Sequence, residues 1–455
     1  PRATINQACT PGGTVILVGP DPKEDLGALF LRLRHAVVND GTTLIELTPA
    51  RTGLSTIATH SLHPRPGEVG LLAAALVDAT NGDAHDAAGV PAEAIAAAAA
   101  SVSGPVTVVL GRASVAESSD ATVDAALALN RLDGVGFLSA LRRGNVHGAL
   151  DMGMSPGLLP GRAPLSAGCD AFDQVPAAVG LDTVGMLEAA AGGDIDVLVL
   201  LGADPLTDVP DADLAERGLA GAGTVIAIEM LPNASTLAHA DLVLPAAGPT
   251  EVSGTFTNLE GRVSIADQKV TPPGTARSDW MIAAEIALRL GADMGIESPE
   301  SIRAEIAAVS PVHGALTEDA LAAGRVEGVL ITGSSIEAPT ASGSTGPSND
   351  AYSLRLAATR RMYDAGTMLQ ASPSSAGLAG SVKVALNPAD FEKLGIEAGT
   401  VVKVVSGRGE LMAPLAVDFG VPVGTAMVPA NAPGSNANTL IDATALVTDV
   451  RVERA

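Results

Sequence analysis

Three short apolar runs in the middle of the chain constrain its fold more than any other feature. They span residues 196–201, 224–228 and 241–244, and each ends at a turn that carries Gly, Asn or Pro. Stretches with helical spacing separate the runs. Short continuous apolar runs that alternate with helices are typical of parallel strands buried on both faces. The sequence therefore predicts a parallel-sheet α/β fold at its centre.

The turns after these runs are the first candidates for a ligand site. In open parallel sheets, ligands bind beyond the carboxyl ends of the strands. Residues 202–205, 229–233 and 245–258 follow the three runs. We therefore expect these segments to line one common crevice.

The pattern divides the chain into four parts. Strands and helices alternate from the first run, at 14–18, until about residue 310. After residue 350, β-branched runs with glycines at turn spacing predict a small β-barrel. The predicted parts are a first α/β region at 1–150, a second at 151–310, a linker at 311–349 and a barrel at 350–455. The stretch 336–348 is the most linker-like because it is rich in Ser, Thr, Gly and Pro.

Composition excludes several classes of protein. The 51 acidic and 27 basic residues leave a net charge of −24, which argues against nucleic-acid binding. No apolar segment reaches the roughly 18 residues that a membrane-spanning helix needs. The only cysteines, Cys9 and Cys169, have no Cys or His nearby at metal spacing, so no metal site is predicted. The lack of a leader-like start favours a cytoplasmic location.

A short repeat supplies the main cofactor-binding candidates. The sequence LVGPDP, which contains Gly19 and Asp21, is echoed by LLGADP, which contains Gly202 and Asp204. Each copy follows a predicted strand and precedes a helix. The glycines would allow a phosphate to approach the backbone closely, and an Asp could meet a guanine or a ribose, although it would repel a phosphate. The same residues are also ordinary turn formers at strand ends.

Two further sets of polar residues also have both a functional and a structural interpretation. Asn258 and its neighbours Glu251, Glu260 and Arg262 could contact a ligand, but a buried network that holds the loop in place explains them as well. His147 and Asp151 lie four residues apart in a Gly-rich stretch that we interpret as a loop. Because no nucleophile motif accompanies them, we expect loop packing at a subunit contact. No residue is predicted to be catalytic.

Several motifs together resemble the molybdopterin oxidoreductase superfamily, in the same order along essentially the whole chain. They are RPG at 65–67, ADLVLP at 240–245, GTF at 254–256, NLEGR at 258–262 and the segment 386–396. The resemblance implies parallel-sheet α/β domains of the molybdopterin oxidoreductase type, followed by a C-terminal double-psi-like β-barrel.

Within that superfamily, residues 145–153 and 156–161 are similar to the large iron–sulfur subunit of bacterial NADH–quinone oxidoreductase (complex I), especially its actinobacterial forms. The resemblance implies a scaffold portion that supports electron transfer from NADH through FMN and iron–sulfur clusters to quinone, coupled to proton translocation. The 4Fe-4S and 2Fe-2S clusters would lie upstream of this sequence, and this portion would bind no cofactor. Its vestigial cradle would comprise Gly19, Asp21, Gly202, Asp204 and Asn258.

The resemblance also implies partners and a location. The partners would be other subunits of the peripheral arm, including the NADH-binding flavoprotein, on the cytoplasmic side of the bacterial membrane. An alternative remains open, which is an active molybdopterin-dependent oxidoreductase of the formate dehydrogenase or nitrate reductase type. In that case the two repeated loops would hold the two halves of a molybdopterin dinucleotide cofactor.

Overall fold

A computed structural model describes residues 1–172, 174–331, 339–343 and 353–455. Contacts within the chain divide it into two compact units. The first unit contains Pro1–Arg142, Val209–Asp213 and Pro339–Ala455, and the second contains Arg143–Asp208 and Leu214–Ala338. Among the described residues, no helix is both long enough and apolar enough to cross a membrane.

A five-stranded parallel sheet forms the α/β part of the first unit, with the strand order β3-β2-β1-β4-β5. The strands are β1 (Thr14–Val18), β2 (Thr43–Leu47), β3 (His60–Leu62), β4 (Val106–Leu110) and β5 (Gly136–Ser139). The helices are α1 (Ile5–Ala8), α2 (Pro22–Asp25), α3 (Gly27–Asn39), α4 (Val69–Thr80), α5 (Ala92–Ala100) and α6 (Asp120–Leu129). Every residue of β1 is buried, as expected for a central parallel strand.

The second unit contains two small sheets. Strands β8 (Val197–Leu201), β9 (Thr224–Glu229) and β10 (Leu242–Pro245) form a parallel sheet in the order β10-β9-β8. An antiparallel sheet contains β11 (Gly254–Thr257), β12 (Arg262–Ala266) and β13 (Val329–Leu330). A short antiparallel pair, β6 (Leu158–Leu159) and β7 (Ala163–Pro164), precedes them. The three apolar runs at the centre of the sequence therefore form the predicted parallel strands.

The helices of the second unit connect and cover these strands. They are α7 (Val146–Asp151), α8 (Thr183–Ala191), α9 (Pro205–Asp208), α10 (Ala212–Gly221), α11 (Ala234–His239), α12 (Asp279–Arg289), α13 (Pro299–Val309) and α14 (Glu318–Ala323). Short 3-10 helices lie at Pro160–Arg162, Leu165–Ala167 and Pro311–His313.

Two predictions about the second unit are wrong. The first is burial of its strands on both faces, because β8 alternates between buried and exposed residues, and Val197, Val199 and Leu201 are about half exposed. The second is the loop assigned to His147 and Asp151. Both residues lie in α7, a six-residue helix that begins after Asn145, which has left-handed backbone angles.

Part of the segment predicted as a linker forms regular secondary structure. Residues 311–331 contain α14 and β13, which pack onto β12 through Leu321, Val329 and Val263. Of the linker-like stretch 336–348, residues 336–338 and 344–348 lie outside the described part of the chain. The predicted domain boundaries also differ from the division into units, because 1–142 and the barrel belong to one unit.

The last part of the first unit is a closed six-stranded barrel with the order β14-β18-β15-β17-β16-β21. Its strands are β14 (Leu354–Thr359), β15 (Val384–Leu386), β16 (Val401–Val405), β17 (Glu410–Val417), β18 (Thr425–Pro429) and β21 (Asp449–Arg454), with the short pair β19 (Asn431–Ala432) and β20 (Ser435–Asn436). Two helices, α15 (Thr367–Gln370) and α16 (Pro388–Leu394), and two 3-10 helices, Ala376–Leu378 and Ala437–Thr439, connect them. Asn387 caps α16, and Gly395 ends it in a left-handed conformation.

Candidate functional site

The loop after β1 is held in place by its own acidic residue. Asp21 caps α2 by accepting a hydrogen bond from the backbone nitrogen of Lys23 at 2.9 Å. Both of its carboxylate oxygens also lie 2.9 Å from the backbone nitrogen of Gly53, which follows β2. Burial raises the pKa of Asp21, and the two backbone donors act in the opposite direction. The carboxylate therefore joins the ends of two neighbouring strands, and each of its oxygens accepts at least one backbone hydrogen bond.

Gly19 lies where the packing of the sheet leaves little room for a side chain. A Cβ atom at this position would lie 3.1 Å from the backbone nitrogen of Gly111. That nitrogen donates a 2.7 Å hydrogen bond to the carbonyl of Val18, so the chain segments after β1 and β4 approach closely. The absence of a side chain is explained without a bound phosphate.

The corresponding loop of the second unit has the same internal arrangement. Asp204 Oδ1 accepts hydrogen bonds from the backbone nitrogen of Ser235 at 3.0 Å and from its hydroxyl at 2.6 Å. Oδ2 accepts one from the Thr207 hydroxyl at 2.7 Å. Ser235 lies in α11, which follows the neighbouring strand β9. Gly202 has a φ of +59° and allows the turn after β8. In each unit, the repeated Asp thus fastens one strand-end loop to the next.

We expect Asp204→Ala to lower the free energy of unfolding of the second unit by about 1–3 kcal/mol, because buried donors of Ser235 lose their acceptor. Asp204 is 8% exposed. The matched control is Asp208→Ala, because the Asp208 side chain is 45% exposed and should cost less than about 0.5 kcal/mol. Urea denaturation of the three proteins measures the difference. Equal stability of the two variants would contradict this role.

The three segments that were expected to line a crevice contact one another in the second unit. Asn233 donates from Nδ2 to the carbonyl of Ala203 at 3.3 Å, and the Ala246 nitrogen donates to the carbonyl of Glu229 at 3.0 Å. The sequence did not predict that acidic side chains lie close together here. Burial raises the pKa of Glu229, and the neighbouring carboxylates of Asp204 and Asp279 raise it further, against hydrogen bonds that lower it. Such a site disfavours a phosphate.

Asn258 lies apart from these loops, in the hairpin between β11 and β12. Its Oδ1 accepts hydrogen bonds from the backbone nitrogens of Glu260 at 3.0 Å and Arg262 at 2.9 Å. Glu260 and Arg262 form an ion pair at 3.1 Å, which was one of the predicted possibilities. Glu251 accepts from the backbone nitrogen of Gly248 at 2.7 Å. All these polar groups have local structural partners.

A cavity of about 200 Å³ lies at the carboxyl ends of β1 and β2 in the first unit. Its lining contains Gly19 and a balanced set of charges, three arginines and three carboxylates: Arg51, Arg360, Arg361, Asp21, Glu24 and Asp418. Glu24 is also used, since it accepts a 2.9 Å hydrogen bond from the backbone nitrogen of Met362. The two repeated loops do not fit a phosphate group, because each presents an engaged carboxylate where a phosphate would need donors.

The described residues include no group of three metal-ligating side chains. Cys9 and Cys169 are both free cysteines. Burial raises the pKa of the Cys9 thiol, which disfavours the thiolate that metal binding or nucleophilic attack requires.

A buried ionic cluster in the second unit brings together residues that are far apart in sequence. Arg162 Nε lies 2.5 Å from Asp151 Oδ1, and Arg162 Nη2 lies 2.9 Å from His147 Nδ1. His313 Nε2 lies 3.9 Å from the second oxygen of Asp151, and its Nδ1 lies 2.7 Å from the Ser310 hydroxyl. Arginine can only donate hydrogen bonds, so Nδ1 of His147 is the acceptor.

Ser310, His313 and Asp151 have the residue types of a hydrolytic triad, but Ser310 is completely buried. A substrate could not reach its hydroxyl. The cluster fastens α7 to the two 3-10 helices Pro160–Arg162 and Pro311–His313, and we interpret it as structural. Arg162 has a left-handed φ of +57°, which is uncommon for a residue other than glycine.

The cluster predicts a specific dependence of stability on pH. Burial lowers the pKa of His313, Asp151 acts against this shift, and Arg162 adds to it. Ser310 faces Nδ1, and Arg303 lines the same small cavity as His313. The folded state therefore keeps a neutral imidazole, whereas the unfolded chain binds a proton near pH 6.5. The stability that depends on neutral His313 is present above about pH 6.5 and is lost as the pH falls below it.

We expect His313→Gln to remove this contribution. Between about pH 7.5 and about pH 5, the native protein should lose stability more steeply than the variant, by at most about 1.4 kcal/mol per pH unit. Urea denaturation across this range measures the two slopes. Identical slopes would show that His313 does not titrate differently in the folded and unfolded states.

Comparison with known proteins places these features in a family. Residues 11–289, more than half of the chain, match the family described as molybdopterin oxidoreductase. The chain belongs to the molybdopterin oxidoreductase family. Residues 354–449, which form most of the barrel, match the molybdopterin dinucleotide binding domain. The resemblance predicted from the sequence motifs is confirmed.

Individual relatives are similar to most of this molybdopterin oxidoreductase chain. The NADPH-Fe(3+) oxidoreductase alpha subunit of Geobacter sulfurreducens is 29% identical over 84% of the chain and 46% of its own length. The G subunit of the NADH-quinone oxidoreductase of Streptomyces coelicolor is 30% identical over 92% of the chain and 48% of its own length. The chain thus spans about half the length of these relatives.

A solved structure supports the fold. Acetylene hydratase from Pelobacter acetylenicus matches the whole chain and 79% of its own chain, with a TM-score of 0.65 and 15% identity. At this identity the likeness concerns the fold alone. The predicted fold class, α/β domains with parallel sheets followed by a C-terminal β-barrel, is confirmed.

Proposed function

We propose that the chain is the scaffold portion of the large iron–sulfur subunit of a respiratory NADH–quinone oxidoreductase. It would support electron transfer from NADH through FMN and iron–sulfur clusters to quinone, coupled to proton translocation. No residue of this portion would be catalytic. Relatives named as the G subunit of NADH-quinone oxidoreductase support the proposal, because one of them matches 92% of the chain.

The observation that carries the scaffold role is the state of the two repeated loops. Asp21 and Asp204 each use both carboxylate oxygens to hold neighbouring loops of the same unit. Under this proposal the portion binds no cofactor, and the 4Fe-4S and 2Fe-2S clusters belong to another part of the protein. Gly19, Asp21, Gly202, Asp204 and Asn258 then serve packing.

The proposal includes a place in the cell. The chain would lie in the peripheral arm of the complex, on the cytoplasmic side of the bacterial membrane, beside the NADH-binding flavoprotein and other subunits of that arm. The chain has 51 acidic and 27 basic residues, and this excess of negative charge favours protein partners over nucleic acid.

The second candidate is an active molybdopterin-dependent oxidoreductase of the formate dehydrogenase or nitrate reductase type. The cavity of about 200 Å³ at the ends of β1 and β2, with Arg51, Arg360 and Arg361 in its wall, is the observation that favours it. Those arginines would then contact anionic parts of the molybdopterin dinucleotide.

Metal analysis of the purified native complex that contains this chain separates the two candidates. The scaffold proposal predicts quinone reduction by NADH with molybdenum and tungsten far below one atom per chain. It also predicts that Cys9→Ser leaves assembly and electron transfer unchanged. Stoichiometric molybdenum or tungsten would overturn the scaffold proposal, as would loss of NADH oxidation by a fully assembled Cys9→Ser complex.

A further inference from the structure

A small cavity lies in the second unit, next to the buried ionic cluster. Its volume is about 80 Å³, and His313 belongs both to its lining and to the cluster. The rest of the lining comes from α7 and the residue before it, from β11 and β12, and from residues 303–316. Because one water needs about 10–15 Å³ of such space, the cavity has room for roughly five to eight non-hydrogen atoms.

The hydroxyl of Thr257 in this lining lacks a partner within the protein. Thr257 is 5% exposed, and its backbone nitrogen donates a 2.8 Å hydrogen bond to Asn145 Oδ1. Its hydroxyl makes no hydrogen bond to any residue that the structure describes. Buried polar groups are nearly always hydrogen-bonded, because an unpaired one costs free energy. A polar group of a ligand in the cavity would supply the missing partner.

The amide of Asn145 is held in a defined orientation. Because Oδ1 accepts from the Thr257 nitrogen, Nδ2 is left as the donor of this side chain. Nδ2 has no hydrogen-bond partner in the described part of the chain. A Cβ atom at Gly148 would collide with Asn145 Oδ1, so the glycine one turn into α7 leaves space for the amide. The cavity wall therefore contains a fixed neutral donor beside the Thr257 hydroxyl.

Arg303 adds a charged donor to the same lining. Its Nε donates to Glu318 at 2.8 Å, and its Nη2 donates to Glu300 at 3.1 Å. Its Nη1 has no partner among the residues described. The Arg303 side chain is 13% exposed, whereas the side chains of Glu300 and Glu318 are 64% and 61% exposed. Solvent therefore screens the two carboxylates more than the guanidinium group.

We propose that this cavity binds a short-chain carboxylate of about four carbon atoms. No aspartate or glutamate is among the described residues that line it, so its polar groups are suited to an oxygen acceptor, and the guanidinium group favours an anionic one. The hydrocarbon chain would pack against the apolar part of the lining, which is Met152, Val263, Ile306 and Leu316. The inference does not depend on the proposed function, since neither candidate function uses this cavity.

Saturation-transfer NMR with the native complex that contains this chain tests the proposal. The probes are butyrate, butyramide and formate, each titrated separately. Butyramide has the same chain without the charge, and formate has the charge without the chain. Butyrate should bind saturably, and each of the other two should bind about tenfold more weakly or less. Butyrate that does not bind, or that binds no better than butyramide or formate, would overturn the proposal.

A matched pair of substitutions assigns the binding to this cavity. Thr257→Val removes the hydroxyl and keeps the shape of the side chain, so butyrate should bind about tenfold more weakly. The control is Thr224→Val, because Thr224 begins β9 in the same unit and does not line the cavity. It should change butyrate binding less than about twofold. Equal butyrate binding by the two variants would reject the site.

A third substitution fills the cavity from its apolar side. Ile306→Phe places a larger side chain where the hydrocarbon chain of the ligand would lie, and it should abolish saturable butyrate binding. Circular dichroism and the midpoint of urea denaturation check that each variant folds. Unchanged butyrate binding by folded Ile306→Phe would show that butyrate binds elsewhere and would overturn the proposal.

Discussion

Replacing Arg162 with Met is expected to lower the free energy of unfolding of the second unit by about 3–5 kcal/mol. Methionine has a similar length to the apolar stem of arginine but carries no charge. The substitution therefore leaves the Asp151 carboxylate buried without its ion-pair partner. The Arg162 and Asp151 side chains are only 15% and 6% exposed, and their atoms approach to 2.5 Å. His147 loses the donor to its Nδ1 at the same time.

The matched control is Arg289→Met on α12. Arg289 forms a 2.6 Å ion pair with Glu285, but its side chain is 76% exposed, so the loss should be below about 0.5 kcal/mol. Urea denaturation, together with hydrogen exchange of the amides of β8 and β9, measures both variants. If Arg162→Met costs no more than Arg289→Met, the buried cluster does not stabilise the unit.

Leu356→Ala is expected to cost about 2–5 kcal/mol in the first unit, because truncation of a buried leucine removes apolar contacts and leaves a cavity. Leu356 is fully buried at the centre of the barrel strand β14. It packs in the same cluster as Val384, Val404 and Ala116, the last of which comes from the α/β part of the unit. The barrel and the α/β part should therefore lose stability together.

Leu378→Ala provides the comparison, since Leu378 lies in the same unit but is 56% exposed. Its expected cost is below about 0.5 kcal/mol. Calorimetry of both variants gives the change in melting temperature of the first unit. A barrel that unfolds separately in Leu356→Ala, with the α/β part unaffected, would contradict a shared core.

The strands were the most predictable elements, because continuous burial requires continuous apolar sequence. The predicted run 14–18 coincides with β1 at both ends, and the runs 196–201 and 224–228 match β8 and β9 to within one residue. The pattern of apolar residues shows which faces of a strand are suited to burial. It does not show whether another part of the protein packs against those faces. For this reason β8 was wrongly expected to be buried on both faces.

The buried ionic cluster shows a different limit. His147 and Asp151 were noticed because of their spacing, but Gly144, Gly148 and Gly153 suggested a loop. Their partners Arg162 and His313 carry no local signal, since they meet the pair only when the helices of the unit pack. Charged residues in polar segments are usually exposed, and only the fold can bury and pair them.

The sequence by itself determined the family, the alternation of strands and helices before the barrel, and the position of the two Gly-x-Asp-Pro turns after β1 and β8. These properties follow from local patterns of burial and turn formation. Only the tertiary structure decided what the turns do, because the use of a carboxylate depends on the donors that surround it in space. Asp21 meets Gly53, and Asp204 meets Ser235, each about thirty residues along the chain. The exposed face of β8 was likewise decided by which elements lie across the sheet.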